Sequence, residues 1–100
     1  MEIIINQTPE SVKVQFNGRL DTLAATQAEE QVKQIELLAN QHVIIDCERL
    51  DYISSSGLRL LLRISKAAKA QGGSVTLASV NVNVLTVLKM TGFDKILNID

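Results

Sequence analysis

At 100 residues and 11.0 kDa, the chain is expected to form a single domain over residues 1–100, with no room for a second core. Leu, Ile and Val make up 32 of its residues and only 3% are aromatic, which describes an aliphatic core and excludes an aromatic platform for stacking single-stranded nucleic acid. Ten Lys and Arg against eleven Asp and Glu leave a net charge of -1, too weak a field to condense on nucleic-acid phosphates or an anionic membrane.

After Ile3-Ile4-Ile5, a break at Thr8-Pro9-Glu10 precedes Val12, Val14 and Phe16, which alternate with polar residues. That period of two predicts a half-buried strand, and the two segments read as a hairpin. Gly18 is expected to close the second strand. Asp21 or Thr22 then caps a helix whose apolar positions Ala28, Val32, Ile35 and Ala39 recur at helical spacing, with Glu29, Glu30, Lys33 and Glu36 on a solvated face. Asn40-Gln41 ends it, and the unbroken Val43-Ile44-Ile45 predicts a central strand covered on both faces.

A loop from Asp46 to Ile53 leads into Ser54-Ser55-Ser56-Gly57. Leu58, Leu61, Leu62, Ser65 and Ala68 follow on one helical stripe up to Gly72-Gly73, with Arg59, Arg63 and Lys66 on another face. Val75, Leu77 and Val80 predict a further strand. Asn81 or Asn83 caps a last helix through Val84, Leu85, Leu88 and Met90, which Gly92 ends, and Ile96, Leu97 and Ile99 form a final short apolar segment. The order β-β-α-β-α-β-α-β implies an α/β fold: a mixed, mostly parallel sheet with a leading antiparallel hairpin, packed against about three helices.

Few residues can carry chemistry. The single cysteine, Cys47, and the single histidine, His42, exclude a disulfide framework and a His/Cys metal centre within one chain. No cofactor or metal is expected. His42 reads as a surface or helix-end histidine, Cys47 as a small buried hydrophobe, and Asp21, Asp46, Glu48 and Asp51 as solvated loop carboxylates without the alternation of a calcium loop. Neither GxGxxG nor GxxxxGK[ST] occurs, and a GxSxG elbow is absent, so nucleotide binding and serine hydrolysis lack a motif. Met1 leads directly into Glu2 and no apolar run approaches the roughly 20 residues of a span, so the expected address is the cytoplasm. The three serines before a leucine-rich helix admit two readings: capping alone, or capping by one serine beside a regulatory phosphosite at the positive end of the helix.

The stretch Asp51-Tyr52-Ile53-Ser54-Ser55-Ser56-Gly57-Leu58-Arg59 resembles the central motif of the STAS domain family, in the form found in bacterial anti-sigma factor antagonists. The opening hairpin, the Gly18-Arg19-Leu20-Asp21 corner, Val43-Ile44-Ile45-Asp46, Gly72-Gly73 and Met90-Thr91-Gly92-Phe93 follow in family order, so the resemblance covers essentially the whole chain. It implies a cytoplasmic switch protein and not an enzyme. The unphosphorylated form would bind an anti-sigma factor that is also a serine kinase. That kinase would phosphorylate a serine at the start of the second predicted helix, and a PP2C-type phosphatase would reverse the step. The matching acceptor is Ser55, with Ser54 and Ser56 as alternatives, and Asp21, Ser54, Ser56, Gly57 and Arg59 would lie around the partner surface. Ser54 stands where many members carry aspartate, which removes a fixed negative charge beside the acceptor. Two other readings are a non-catalytic STAS subunit of a transporter-associated or signalling scaffold complex without a phosphoswitch, and a small-ligand or nucleotide-binding domain.

Overall fold

Because Val12, Val14 and Phe16 alternate with polar residues, all three project from one face of a strand, and all three are fully buried. That strand, β2 (Ser11–Leu20), is the spine of the sheet in the computed structural model, which describes residues 1–100. It pairs antiparallel with β1 (Glu2–Gln7), Ile3 opposite Phe16 and Ile5 opposite Val14, as the hairpin expectation requires. The remaining strands are β3 (His42–Asp46), β4 (Leu50–Ile53), β5 (Ser74–Ala78) and β6 (Asn98–Ile99). The helices are α1 (Thr22–Gln27), α2 (Glu29–Leu37), α3 (Ser55–Ala70) and α4 (Val82–Thr91), followed by a 3-10 turn over Phe93–Lys95. The sheet order is β1-β2-β3-β5-β6, parallel beyond the hairpin.

Several sequence expectations about the strands change. Val43-Ile44-Ile45 does form the central strand, but Ile44 is only half-buried: the core lies on the Val43 and Ile45 side, and Lys13 on the opposite face of the sheet is exposed. The segment expected to be a loop from Asp46 to Ile53 contains β4, which runs parallel to the end of β2 with Leu20 opposite Ile53. β3 and β4 thus succeed one another along the same edge of β2, separated by a turn at Cys47–Arg49. Gly18 does not close β2. With φ at +110, it sits where the pairing register shifts, and the strand continues to Leu20 to meet β4.

The first predicted helix is divided. Ala24, Ala25 and Ala28 are small enough to let α1 approach β2 and α3, whereas Val32 and Ile35 carry α2 against α3. These two packing directions meet at Ala28, where the helix breaks. Arg63 of α3 clamps α2 from outside: Nη1 donates to both Glu29 carboxylate oxygens at 2.8 and 2.9 Å, and Nη2 donates to Glu36 at 2.7 Å. Asn81 caps α4 by accepting from the Val84 N–H, and its side-chain amide donates to the Leu50 carbonyl at 2.6 Å, which ties α4 to β4.

Two predictions follow from these joints. A Cβ at position 18 imposes a left-handed conformation on a non-glycine residue, so Gly18→Ala should cost about 1–3 kcal/mol in urea unfolding. The Arg63 hydrogen bond holds the Glu29 carboxyl below the ordinary carboxylate range. The stability from this clamp is therefore present above that range and lost as pH falls through the lowered value. Arg63→Gln should be less stable than the parent near neutral pH, and the gap should close on acidification or in high salt.

Candidate functional site

Parallel strands β2 and β4 end side by side, and each hands over to a helix: Leu20 leads to Asp21 and α1, Ile53 to Ser54 and α3. Asp21 Oδ1 accepts from the Ala24 N–H at 2.9 Å and caps α1. Ser54 is tied more firmly. Its N–H and its hydroxyl both donate to the Leu20 carbonyl, at 2.9 and 3.1 Å, while the same hydroxyl oxygen accepts from the Gly57 N–H at 3.2 Å and caps α3. The two helix starts are thereby joined through one peptide carbonyl.

The serines then separate by position. Ser54 is half-buried and hydrogen-bonded both ways, so a phosphate on its oxygen would break the cap and the tie to β2. Ser55 is exposed, with no side-chain hydrogen bond, on a first turn that contains no acidic residue. Ser56 is half-buried in a groove between α1 and α3 that also takes in Ala25, Thr26, Glu29, Arg59 and Arg63. Arg59 is exposed at the mouth of that groove.

Gly57, expected to lie at a partner surface, instead sits inside the fold. The residue is buried, and a Cβ there would come within 2.8 Å of Leu20 Cγ and 2.9 Å of both Ile53 Cγ1 and the Leu20 carbonyl oxygen. Its role is to let α3 start in contact with the ends of β2 and β4. The structure therefore brings Asp21, Ser54, Ser55, Ser56 and Arg59 to one rim, with Gly57 as the packing residue under them.

Sequence reasoning passed over Leu23, which is 66% exposed in the first turn of α1, two residues after Asp21. The signal was present, because position 23 falls off the Ala28-Val32-Ile35-Ala39 stripe. It also passed over Arg19, whose guanidinium lies 4.3 Å from the Tyr52 ring centroid across β2 and β4. That pair was not visible without β4.

The other candidates serve the fold. Cys47 is fully buried, and burial, with the Asp46 charge adding to it, pushes its thiol up to about 12, far from a nucleophilic thiolate. His42 is the first residue of β3 and not a helix end; its Nδ1 shares a hydrogen bond with Ser74 Oγ on β5, at the opposite end of the strands from Ser54. Asp46 accepts from the Glu48 N–H at 3.0 Å and closes its own turn.

The division of labour among the serines is measurable. Ser54→Ala should lose about 1 kcal/mol of stability with the cap, whereas Ser55→Ala should stay within about 0.5 kcal/mol of the parent in urea unfolding.

Three comparisons bear on this geometry. BtrV of Bordetella bronchiseptica, which carries the name of an anti-sigma factor antagonist, is 31% identical over 78 residues, 78% of this chain and 67% of its own. MlaB of Escherichia coli, the binding protein of an intermembrane phospholipid transport system, is 44% identical over 46 residues, 46% of this chain and 47% of its own. The anti-sigma factor antagonist SpoIIAA of Bacillus superposes in its unphosphorylated form with a TM-score of 0.79 at 24% identity, over 99% of this chain and 88% of its own. Its phosphorylated form gives 0.73 at 22%, over 99% and 91%. The sequence profile of the STAS domain matches residues 2–100. With the hairpin, the mixed sheet and the serine-capped α3 all inside that match, the chain belongs to the STAS domain family.

Proposed function

We propose that the protein is a phosphorylation-switched anti-sigma factor antagonist that acts in the cytoplasm and has no catalytic activity of its own. Unphosphorylated, it docks on a serine-kinase anti-sigma factor through the rim of Asp21, Ser54, Ser56 and Arg59; phosphorylated on Ser55, it is released. The observation that carries this reading is the contrast between Ser54, committed to the Leu20 carbonyl and the Gly57 N–H, and Ser55, exposed beside it with a free hydroxyl. The name of BtrV supports the antagonist role, and SpoIIAA, which shares the fold and is solved in unphosphorylated and phosphorylated forms, supports the switch. No helix is long and apolar enough to cross a membrane.

The chemistry belongs to the partners. Ser55 Oγ attacks the γ-phosphorus of ATP, the bond to ADP breaks, and the hydroxyl proton passes to a base on the kinase. A PP2C-type phosphatase transfers the phosphate to water and restores the hydroxyl. Release needs no rearrangement of this domain. A docked partner would have to desolvate the new charge, and an unpaired buried charge costs about 4 kcal/mol, about a thousandfold in affinity.

A second reading, a non-catalytic subunit of a transport complex whose serines only cap α3, is favoured by the higher local identity to MlaB. Incubation with ATP and a serine-kinase anti-sigma factor separates the two. The antagonist reading expects one phosphate, mapped to Ser55 by mass spectrometry, none in Ser55→Ala, and weakened binding in Ser55→Asp. A phosphate on Ser54 or Ser56 would overturn the site, and tight kinase-independent binding to a component of a phospholipid transport system with no phosphate would favour the second reading.

A further inference from the structure

The guanidiniums near the rim are in different states. Arg63 is engaged by Glu29 and Glu36 at 2.7–2.9 Å, and Arg19 lies over the Tyr52 ring. Arg59 forms no ion pair and no hydrogen bond, although it is exposed at the groove that also holds Ser56. It follows Ser55 by four residues within α3 (Ser55–Ala70), so the two lie one turn apart on the same face, about 5–6 Å between Cβ atoms.

We propose that Arg59 holds the phosphate of phosphorylated Ser55 in cis, so that modification both adds negative charge to the docking rim and withdraws its unpaired guanidinium from a partner. The proposal rests on Ser55 as the acceptor. Three features of the helix favour the contact. An anion four residues before a cation is the preferred orientation of such a pair. The guanidinium fork matches two phosphate oxygens. The first turn of α3 has no acidic side chain to compete for Arg59, and Glu29 across the groove is already engaged by Arg63. Release would then involve more than repulsion, because a partner carboxylate that met Arg59 in the unphosphorylated form would lose its counter-charge.

The test needs no kinase. The full chain is made with phosphoserine inserted at position 55 during translation, and the phosphorus resonance is followed through a pH titration in the parent, Arg59→Gln, Arg59→Lys and Arg63→Gln backgrounds. A cation beside the phosphate favours the dianion, so the second ionisation should fall at lower pH in the parent than in Arg59→Gln, by about half a unit. Arg59→Lys should recover part of the shift, Arg63→Gln should reduce it only as far as the released Glu29 competes for Arg59, and about 0.5 M salt should shrink it. Coincident curves for the parent and Arg59→Gln would overturn the proposal, as would a shift that depends on Arg63 instead. A kinase that places no phosphate on Ser55 would overturn the acceptor assignment in a separate experiment, so the two failures are distinguishable.

Discussion

The Leu20 carbonyl is the joint on which the site depends. It accepts from the Ser54 N–H and hydroxyl, and it lies so close to Gly57 that no side chain fits between them. One acceptor therefore holds the end of β2, the N-cap of α3 and the entry to α1 together. A hydroxyl that donates to a carbonyl and accepts from an amide has no rotational freedom left, which makes Ser54 structural. The next residue begins the helical turn with its side chain outward. The physical distinction between a serine committed to a cap and one with a free, exposed hydroxyl is a single step along the chain.

That joint also explains how much the sequence disclosed. The hairpin, the central strand and the serine-started helix were legible because each is written in local periodicity or capping chemistry, which narrowed the other caps to Asp21 or Thr22 and to Asn81 or Asn83; the structure selects Asp21 and Asn81. β4 was not legible. Leu50-Asp51-Tyr52-Ile53 has no alternation, since Leu50 and Ile53 are buried and the two residues between them are exposed, and its pairing comes from the extension of β2 beyond Gly18. The break at Ala28 was hidden for a similar reason: Ala28 is a good helix former, and only packing in two directions interrupts it. The burial of Gly57 is not written in its motif, because a motif reports position along the chain and not depth. Leu23 was readable in principle, as an apolar residue off the buried stripe.

The near-neutral charge of the chain bears on the proposed phosphoswitch. On a background of -1, a phosphate worth about two negative charges changes the local field at the α3 start far more than the protein as a whole. The surrounding structure is suited to leave that change local. The core under the rim is aliphatic and fully buried at Leu20, Leu50, Leu61 and Ile64, and the Arg63 clamp fixes α2 against α3. A packed interior of this kind resists small displacements, so the modified and unmodified forms should differ in surface charge and not in fold.

The most direct test of a local switch on a fixed scaffold is the change in backbone amide chemical shifts between the unmodified chain and the chain carrying phosphoserine at position 55. The account predicts perturbations confined to the rim, from Asp21 to Glu29 and from Ser54 to Arg63, with β3, β5 and α4 unchanged. Perturbations spread through the central strands and α4 would contradict it, because they would mean that phosphorylation acts by rearranging the domain.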